Sequence, residues 1–295
     1  MASGIVLVDK PLGLSSHSAV SGVRKALGTK KVGHAGTLDP AATGLLVMGV
    51  NAGTRLLTYL VGLDKSYTAT MRLGYETTTD DAEGDRVGES APAVDSLTDE
   101  DIRSAVAPFR GQIEQVPSTY SAIKVDGKRA YDLARSGQDV ELKSRVVTIS
   151  RLETLGITQG DGVIDVELVV DCSSGTYIRA LARDIGRALG VGGHLVALRR
   201  TRVGPFDVEG APLPQDVQES QVMSLAEVAG AVMPVVVLES QEVIDISHGR
   251  PIRAQGWPTP GPIAAVAAES GGLVAILEAS GDRSRILMGV PDSER

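Results

Sequence analysis

The sequence predicts a mixed α/β fold with a small β-rich module at its C-terminal end. Three observations lead there. The first sixty or so residues alternate between strand-like and helix-like runs. Lys65 to Gly74 alternates apolar and polar side chains, and Arg145 to Ile157 and Val163 to Cys172 read as a strand pair across Gly160-Asp161-Gly162. After Val235 the apolar runs are short and broken by glycine and proline.

In chain order, Ile5 to Asp9 reads as a strand and Asp9-Lys10-Pro11-Leu12-Gly13 as a turn. Ser15 or Ser16 caps a helix through Leu27, with Val20, Val23 and Leu27 on one face and Gly28 as its stop. A glycine-rich loop around Asp39 runs into the apolar segment Leu45 to Val50, and Thr54 to Val61 is helical. In the strand from Lys65, Tyr67, Ala69, Met71 and Leu73 share a face. Tyr75 to Pro92 lacks periodicity and reads as a loop, and Thr98-Asp99-Glu100-Asp101 opens a helix reaching about Phe109, its acids suiting the helix dipole. Val125-Asp126-Gly127-Lys128 signals a tight turn, followed by a helix from Arg129 to Ser136. Ser173 to Arg179 leads into a helix ending near Leu189, with Ile178, Leu181, Ala182, Ile185 and Leu189 as its buried stripe. On another face Arg179, Arg183 and Arg187 stand four apart, which by itself reads as a row facing solvent. Pro205 to Pro214 marks a change of regime. Ser224 with Glu227 then caps a helix to Met233. The expected division is residues 1–210 and 211–295.

Composition narrows the function classes. The 42% hydrophobic and 22% charged content of 295 residues is that of a globular protein with a buried core. A net charge of −8 argues against nonspecific nucleic-acid binding, yet the charge is uneven. Lys10, Arg24, Lys25, Lys30, Lys31 and Arg55 face only Asp9 and Asp39 in the first sixty residues, whereas Val203 to Gly249 carries acids and no Lys or Arg. The single cysteine, Cys172, excludes an intrachain disulfide, and it ends an apolar run as a small buried side chain would. Four scattered histidines give no metal signature, and no apolar stretch approaches membrane-span length. The expectation is a cytosolic (cytoplasmic) protein with no membrane, no metal and no cofactor.

The most specific stretch is Gly33-His34-Ala35-Gly36-Thr37-Leu38-Asp39-Pro40-Ala41-Ala42-Thr43-Gly44-Leu45-Leu46. Its glycines allow close approach of a ligand, and Pro40 biases Asp39 toward an extended conformation, so one carboxylate is held in a defined direction. A lone Asp in such a loop is usually a turn former. The whole string, however, resembles the motif of the tRNA pseudouridine synthase B family, and so do Asp9-Lys10-Pro11, Lys65-Ser66-Tyr67, Pro117 to Lys124, Gly175-Thr176-Tyr177-Ile178-Arg179 and Gly192 to Arg200, in the family's order.

That resemblance implies a pseudouridine-synthase fold, a central mixed or antiparallel sheet with flanking helices, and a small C-terminal PUA-like RNA-binding module. It implies isomerisation of uridine 55 in the tRNA T loop, with Asp39, Tyr67 and Arg179 catalytic, Arg179 pairing with Asp39. Substrate contacts fall to His34, Tyr67, Tyr177, Leu198 and Lys10. Tyr67 is either a stacking platform or the base for the C5 proton, and the pattern alone reads it as the wet end of a core stripe. Lys10 either supports the Asp39 loop or meets a phosphate. His34 fills the space the flipped nucleotide leaves, or is satisfied by loop carbonyls. Extracting a base costs a few kcal/mol and one aromatic stack returns about 1–3 kcal/mol, so Tyr67 needs such a supplement. The partner is the T stem-loop of tRNA, met by a monomer; the alternative is a tRNA-folding chaperone whose catalysis is secondary.

Overall fold

A computed structural model describes residues 3–89, 91–120, 124–125, 128–129, 142–258 and 260–294. The helix expected from Arg129 to Ser136 lies, beyond Arg129 itself, outside these residues. The chain divides into two compact units, one formed by residues 1–40, 44–62 and 203–295 and the other by 41–43 and 63–202.

The first unit opens with β1 (Gly4–Lys10), α1 (Ser16–Ala26), β2 (Val32–His34), β3 (Ala42–Val50, from residue 44 in this unit) and α2 (Gly53–Leu60). β3 runs between β1 and β2, antiparallel to both, in registers Gly4↔Val50 to Lys10↔Gly44 and Val32↔Val50 to His34↔Met48. Residues 44–50 are all buried, which explains an unbroken apolar run where an exposed strand would alternate. Ser15 Oγ accepts the Ser18 amide at the N-terminus of α1. At Gly53 a Cβ would stand 1.8 Å from Gly4 O, so only glycine lets α2 begin against β1.

The second unit holds β4 (Lys65–Leu73), β5 (Glu76–Thr77), β6 (Arg86–Val87), α3 (Asp99–Val106), β7 (Gly111–Gln115), β8 (Lys124–Val125), β9 (Lys128–Arg129), β10 (Arg145–Gly160), β11 (Val163–Cys172), α4 (Ile178–Ala188) and β12 (Gly193–Val203, to residue 202 in this unit). Its sheet runs β12-β4-β11-β10-β7. β8 and β9 pair antiparallel, Lys124 with Arg129 and Val125 with Lys128; the expected turn residues Asp126-Gly127 lie outside the described residues. The alternation expected for β4 holds: Tyr67, Ala69, Met71 and Leu73 are buried with Ile149, Leu152, Val166 and Val170, and α3 and α4 add Ile102, Leu181 and Ile185. Each of the Val, Leu, Ile and Met side chains contributes about 1.5–3 kcal/mol of transfer free energy. Thr98 and Asp101 form a reciprocal capping box at the start of α3.

The chain then returns to the first unit. β13 (Phe206–Asp207) precedes β14 (Met223–Ser224), which pairs with β1, and α5 (Leu225–Val232) packs on β1 and α2. A separate four-stranded sheet follows, ordered β15 (Val235–Leu238), β16 (Ile263–Ala267), β17 (Leu273–Ser280) and β18 (Arg283–Gly289), with β15 parallel to β16 and the others antiparallel. The β-rich reading of this region holds, with one addition: α6 (Ser240–Ser247) follows β15. Its two turns are too short to establish a period, and the capping signal is an unusual one, Glu239 with Glu242.

Candidate active site

In the first unit the loop between β2 and β3 holds Asp39, half-buried, with His34 half-buried at the end of β2. The backbone around Asp39 is fixed from three directions. Ser16 Oγ donates to Leu38 O at 2.8 Å and accepts the Leu38 amide at 2.9 Å. Gly13 N donates to Pro40 O at 2.9 Å. Lys10, fully buried at the end of β1, donates from Nζ to Leu14 O at 2.7 Å and Pro11 O at 3.0 Å, and lies 3.5 Å from Pro40 O. Of the two readings of Lys10, this geometry is that of loop support: a buried ammonium surrounded by carbonyls is not presented to a phosphate. Gly36 and Gly44 take φ of +92° and +102°, values that other residues rarely adopt.

In the second unit, Tyr67 on β4 is buried in the main cluster, and Leu198 on β12, half-buried, packs against the same cluster. Tyr177 precedes α4, where Gln115 performs the capping that no local side chain supplies: Gln115 Oε1 accepts the Tyr177 amide at 2.8 Å and its Nε2 donates to Tyr177 O at 3.1 Å. The Arg145 guanidinium lies over the Tyr177 ring, 5.6 Å from its centroid. Tyr67, Leu198, Tyr177 and Arg179 therefore come from three separate stretches into one unit, around β4, β12 and the start of α4.

Arg179 is buried and tightly held. Nη1 is 3.1 Å from Asp81 Oδ2 and donates to Thr79 O at 3.1 Å, and Nη2 donates to Tyr120 O at 2.9 Å. Asp81 is in turn fixed, its Oδ1 accepting from Thr79 Oγ1 at 2.5 Å and from the Glu83 amide at 3.1 Å. The reading of Arg183 as a solvent-facing side chain is corrected. It is buried, 2.9 Å from Asp80 Oδ2 and from Asp184 Oδ1, and it donates to Val116 O at 2.7 Å. Arg187 stays more than half exposed but forms a two-bond pair with Glu76, at 2.7 and 2.8 Å, which pulls the Glu76 carboxyl below its usual range.

The reason is a matched spacing that the sequence reading passed over. Three arginines four residues apart on α4 meet Asp81, Asp80 and Glu76 in reverse order along a segment read as irregular loop. Asp80 adopts φ of +60°, its carboxylate accepts from Ser118 Oγ at 2.6 Å and its carbonyl accepts the Leu195 amide at 3.0 Å, so the strained residue is held at both side chain and backbone. Replacing Arg183 by Leu should destabilise the fold by about 3 kcal/mol, because Asp80 is left charged and buried. Arg187→Leu should cost less than about 1 kcal/mol, since that pair is solvated. Urea unfolding of both variants checks the contrast.

Among the described residues, no group of three or more His, Cys, Asp and Glu side chains is placed to hold a metal ion. No described helix is long and apolar enough to cross a membrane.

Family models cover the chain in succession. Residues 24–178 match the N-terminal domain of TruB family pseudouridylate synthases, 179–238 the tRNA pseudouridylate synthase B C-terminal domain and 233–291 the tRNA pseudouridine synthase II C-terminal domain. The chain belongs to the TruB family. It is 51% identical to the tRNA pseudouridine synthase B of Arthrobacter sp. (strain FB24), over 100% of this chain and 99% of that one. For the same enzyme of Mycobacterium sp. (strain KMS) the identity is 52%, over 97% and 95%. For that of Corynebacterium diphtheriae it is 49%, over 88% and 85%. Among solved structures, a chain of a Cbf5-Nop10-Gar1 complex matches with a TM-score of 0.72 and 25% identity, over 98% of this chain and 86% of that chain. A chain of an H/ACA RNP bound to a substrate RNA containing 2'-deoxyuridine matches with a TM-score of 0.72 and 24% identity, over 98% and 85%. The mixed α/β pseudouridine-synthase fold with its small C-terminal β domain, expected of a TruB family member, is what these matches share.

Proposed function

We propose that Asp39 is the carboxylate with which this tRNA pseudouridine synthase, an isomerase making pseudouridine 55, acts on a uridine turned out of the T loop. The observation that carries the assignment is the way its loop is built: a half-buried carboxylate on a backbone fixed by Ser16, Gly13 and the buried Lys10. The reaction breaks the bond between N1 and C1′, rotates the uracil and rejoins it through C5, C5 losing a proton and N1 gaining one. The net change is an isomerisation that consumes no oxidant or reductant. A single preorganised carboxylate serves at C1′ or at the ring.

Tyr67 is the face on which the uracil rests, with Leu198 beside it. Tyr177 lines the pocket, His34 fills the gap left in the RNA, and Arg179 supplies fixed positive charge. Residues 235–289 add RNA affinity as a small separate sheet. A cut to test that contribution belongs after Val232, because β14 and α5 are part of the fold around β1.

The test is pseudouridine formation in a hairpin carrying only the T stem and loop, measured in single turnover. Turnover on the hairpin is expected, because a protein of net charge −8 gains little from extended backbone contacts and reads a compact loop instead. Hairpin inactivity beside full activity on intact tRNA would overturn the compact-loop reading. Tyr67→Phe should keep hairpin affinity and Tyr67→Leu should weaken it about tenfold or more, the worth of a base–aromatic stack. Equal affinity in both variants returns Tyr67 to the status of a core residue.

A further inference from the structure

Lys65 opens β4 on the same face as Tyr67, two residues away, a separation of about 7 Å along a strand. It is 6% exposed, and its Nζ donates to Leu63 O at 2.5 Å. Across the ladder Lys65 stands opposite Cys172 and Tyr67 opposite Val170. On the other side of β4 lies β12, which carries Arg200, 1% exposed. One buried cation thus stands on the strand that presents the phenol and a second on the neighbouring strand, and the reaction as read above uses neither. Burial penalises the charged form of a lysine, so a site that keeps one beside a second cation bears an electrostatic cost. Such perturbed groups concentrate where chemistry occurs.

The surrounding groups leave Lys65 poised. Burial, and then the Arg200 charge, bring its pKa down to about 8, with Cys172 and Asp64 acting in the opposite direction. Burial pushes the Cys172 thiol up to about 11, so it remains neutral near pH 7. Asp171, opposite Ser66 on β11, has Arg202 4.0 Å away. Lys65 is therefore charged at neutral pH and loses its charge just above.

We propose that Lys65 is a positioning residue for Tyr67, its ammonium group supplying a positive potential that favours negative charge at the phenol and on the uracil resting against it after the glycosidic bond breaks. The proposal rests on the reading of Tyr67 as the uracil platform. Removing one such buried charge is expected to slow the reaction about tenfold or more. A lysine retained only as filler under the sheet would leave the pH dependence of the reaction untouched.

The experiment is single-turnover pseudouridine formation on the T-arm hairpin between pH 6 and 9.5, using the full-length chain at saturating concentration, with thermal midpoints recorded for every variant. The wild type should lose rate as pH rises through about 8. Lys65→Arg, whose charge persists across the range, should keep the neutral rate within about threefold and lose the alkaline limb. Lys65→Met should be at least tenfold slower at pH 7, with a flat profile and unchanged hairpin affinity. An alkaline limb that persists in Lys65→Arg overturns the proposal even if Lys65→Met does not fold, and so does a folded Lys65→Met that matches wild type. The underlying reading fails separately: Tyr67→Leu at full rate and affinity removes Tyr67 from the site, whereas an impaired Tyr67→Leu beside an unaffected Lys65→Met removes Lys65 alone.

Discussion

Asp39→Asn is expected to lower pseudouridine formation by more than about a thousandfold in single turnover, exceeding the 10²–10³ lost with a single electrostatic donor. Hairpin affinity and thermal midpoint should stay close to wild type. The contrast follows from how the loop is held. Ser16, Gly13 and Lys10 grip main-chain atoms of Leu38 and Pro40, so an isosteric amide at position 39 leaves that scaffold standing. A carboxamide neither attacks nor balances developing positive charge. An Asn variant within tenfold of wild type would end the mechanism, and loss of folding in step with activity would recast Asp39 as a turn former.

Arg179→Lys should lower the single-turnover rate about a hundredfold, equivalent to about 2.7 kcal/mol. The guanidinium satisfies Asp81 Oδ2, Thr79 O and Tyr120 O from two nitrogens in one plane. An ammonium retains the charge but not this geometry, and Asp81 is then short of a partner where little water reaches it. Asp81→Asn is the companion measurement. A purely structural pair would show equal losses of thermal midpoint in both variants with unimpaired rates below the transition. Activity of Arg179→Lys equal to wild type would reduce Arg179 to a general positive charge.

Sequence periodicity located the elements whose period is complete. β4, β11, α1 and α2 lie within about one residue of their expected bounds, because alternation or an amphipathic stripe defines each of them. α4 starts at Ile178, the first residue of its expected buried stripe, but the hold on the preceding Tyr177 comes from Gln115, far away in the chain. The acidic segment from Glu76 to Asp81 was illegible for a related reason. Its order comes from arginines a hundred residues downstream, and no local period records such a pairing. Arg183 was misread on the same ground, since exposure base rates apply to a helix face whose partner is unknown. Lys10 shows the opposite case, where the motif left support and phosphate contact both open and only burial separates them.

The division of the chain also sets an order of events during synthesis. Residues 63–202 form nearly all of one unit in an uninterrupted stretch, whereas the other unit needs β14 to meet β1 across more than two hundred residues. At roughly 5–20 residues per second, the ribosome takes on the order of ten to forty seconds to make the intervening chain. The later-made strand therefore docks on an edge of β1 that has been open throughout that interval. A slow, chaperone-sensitive phase of maturation should accordingly belong to the unit that carries Asp39, and the inserted unit should resist protease on the nascent chain first.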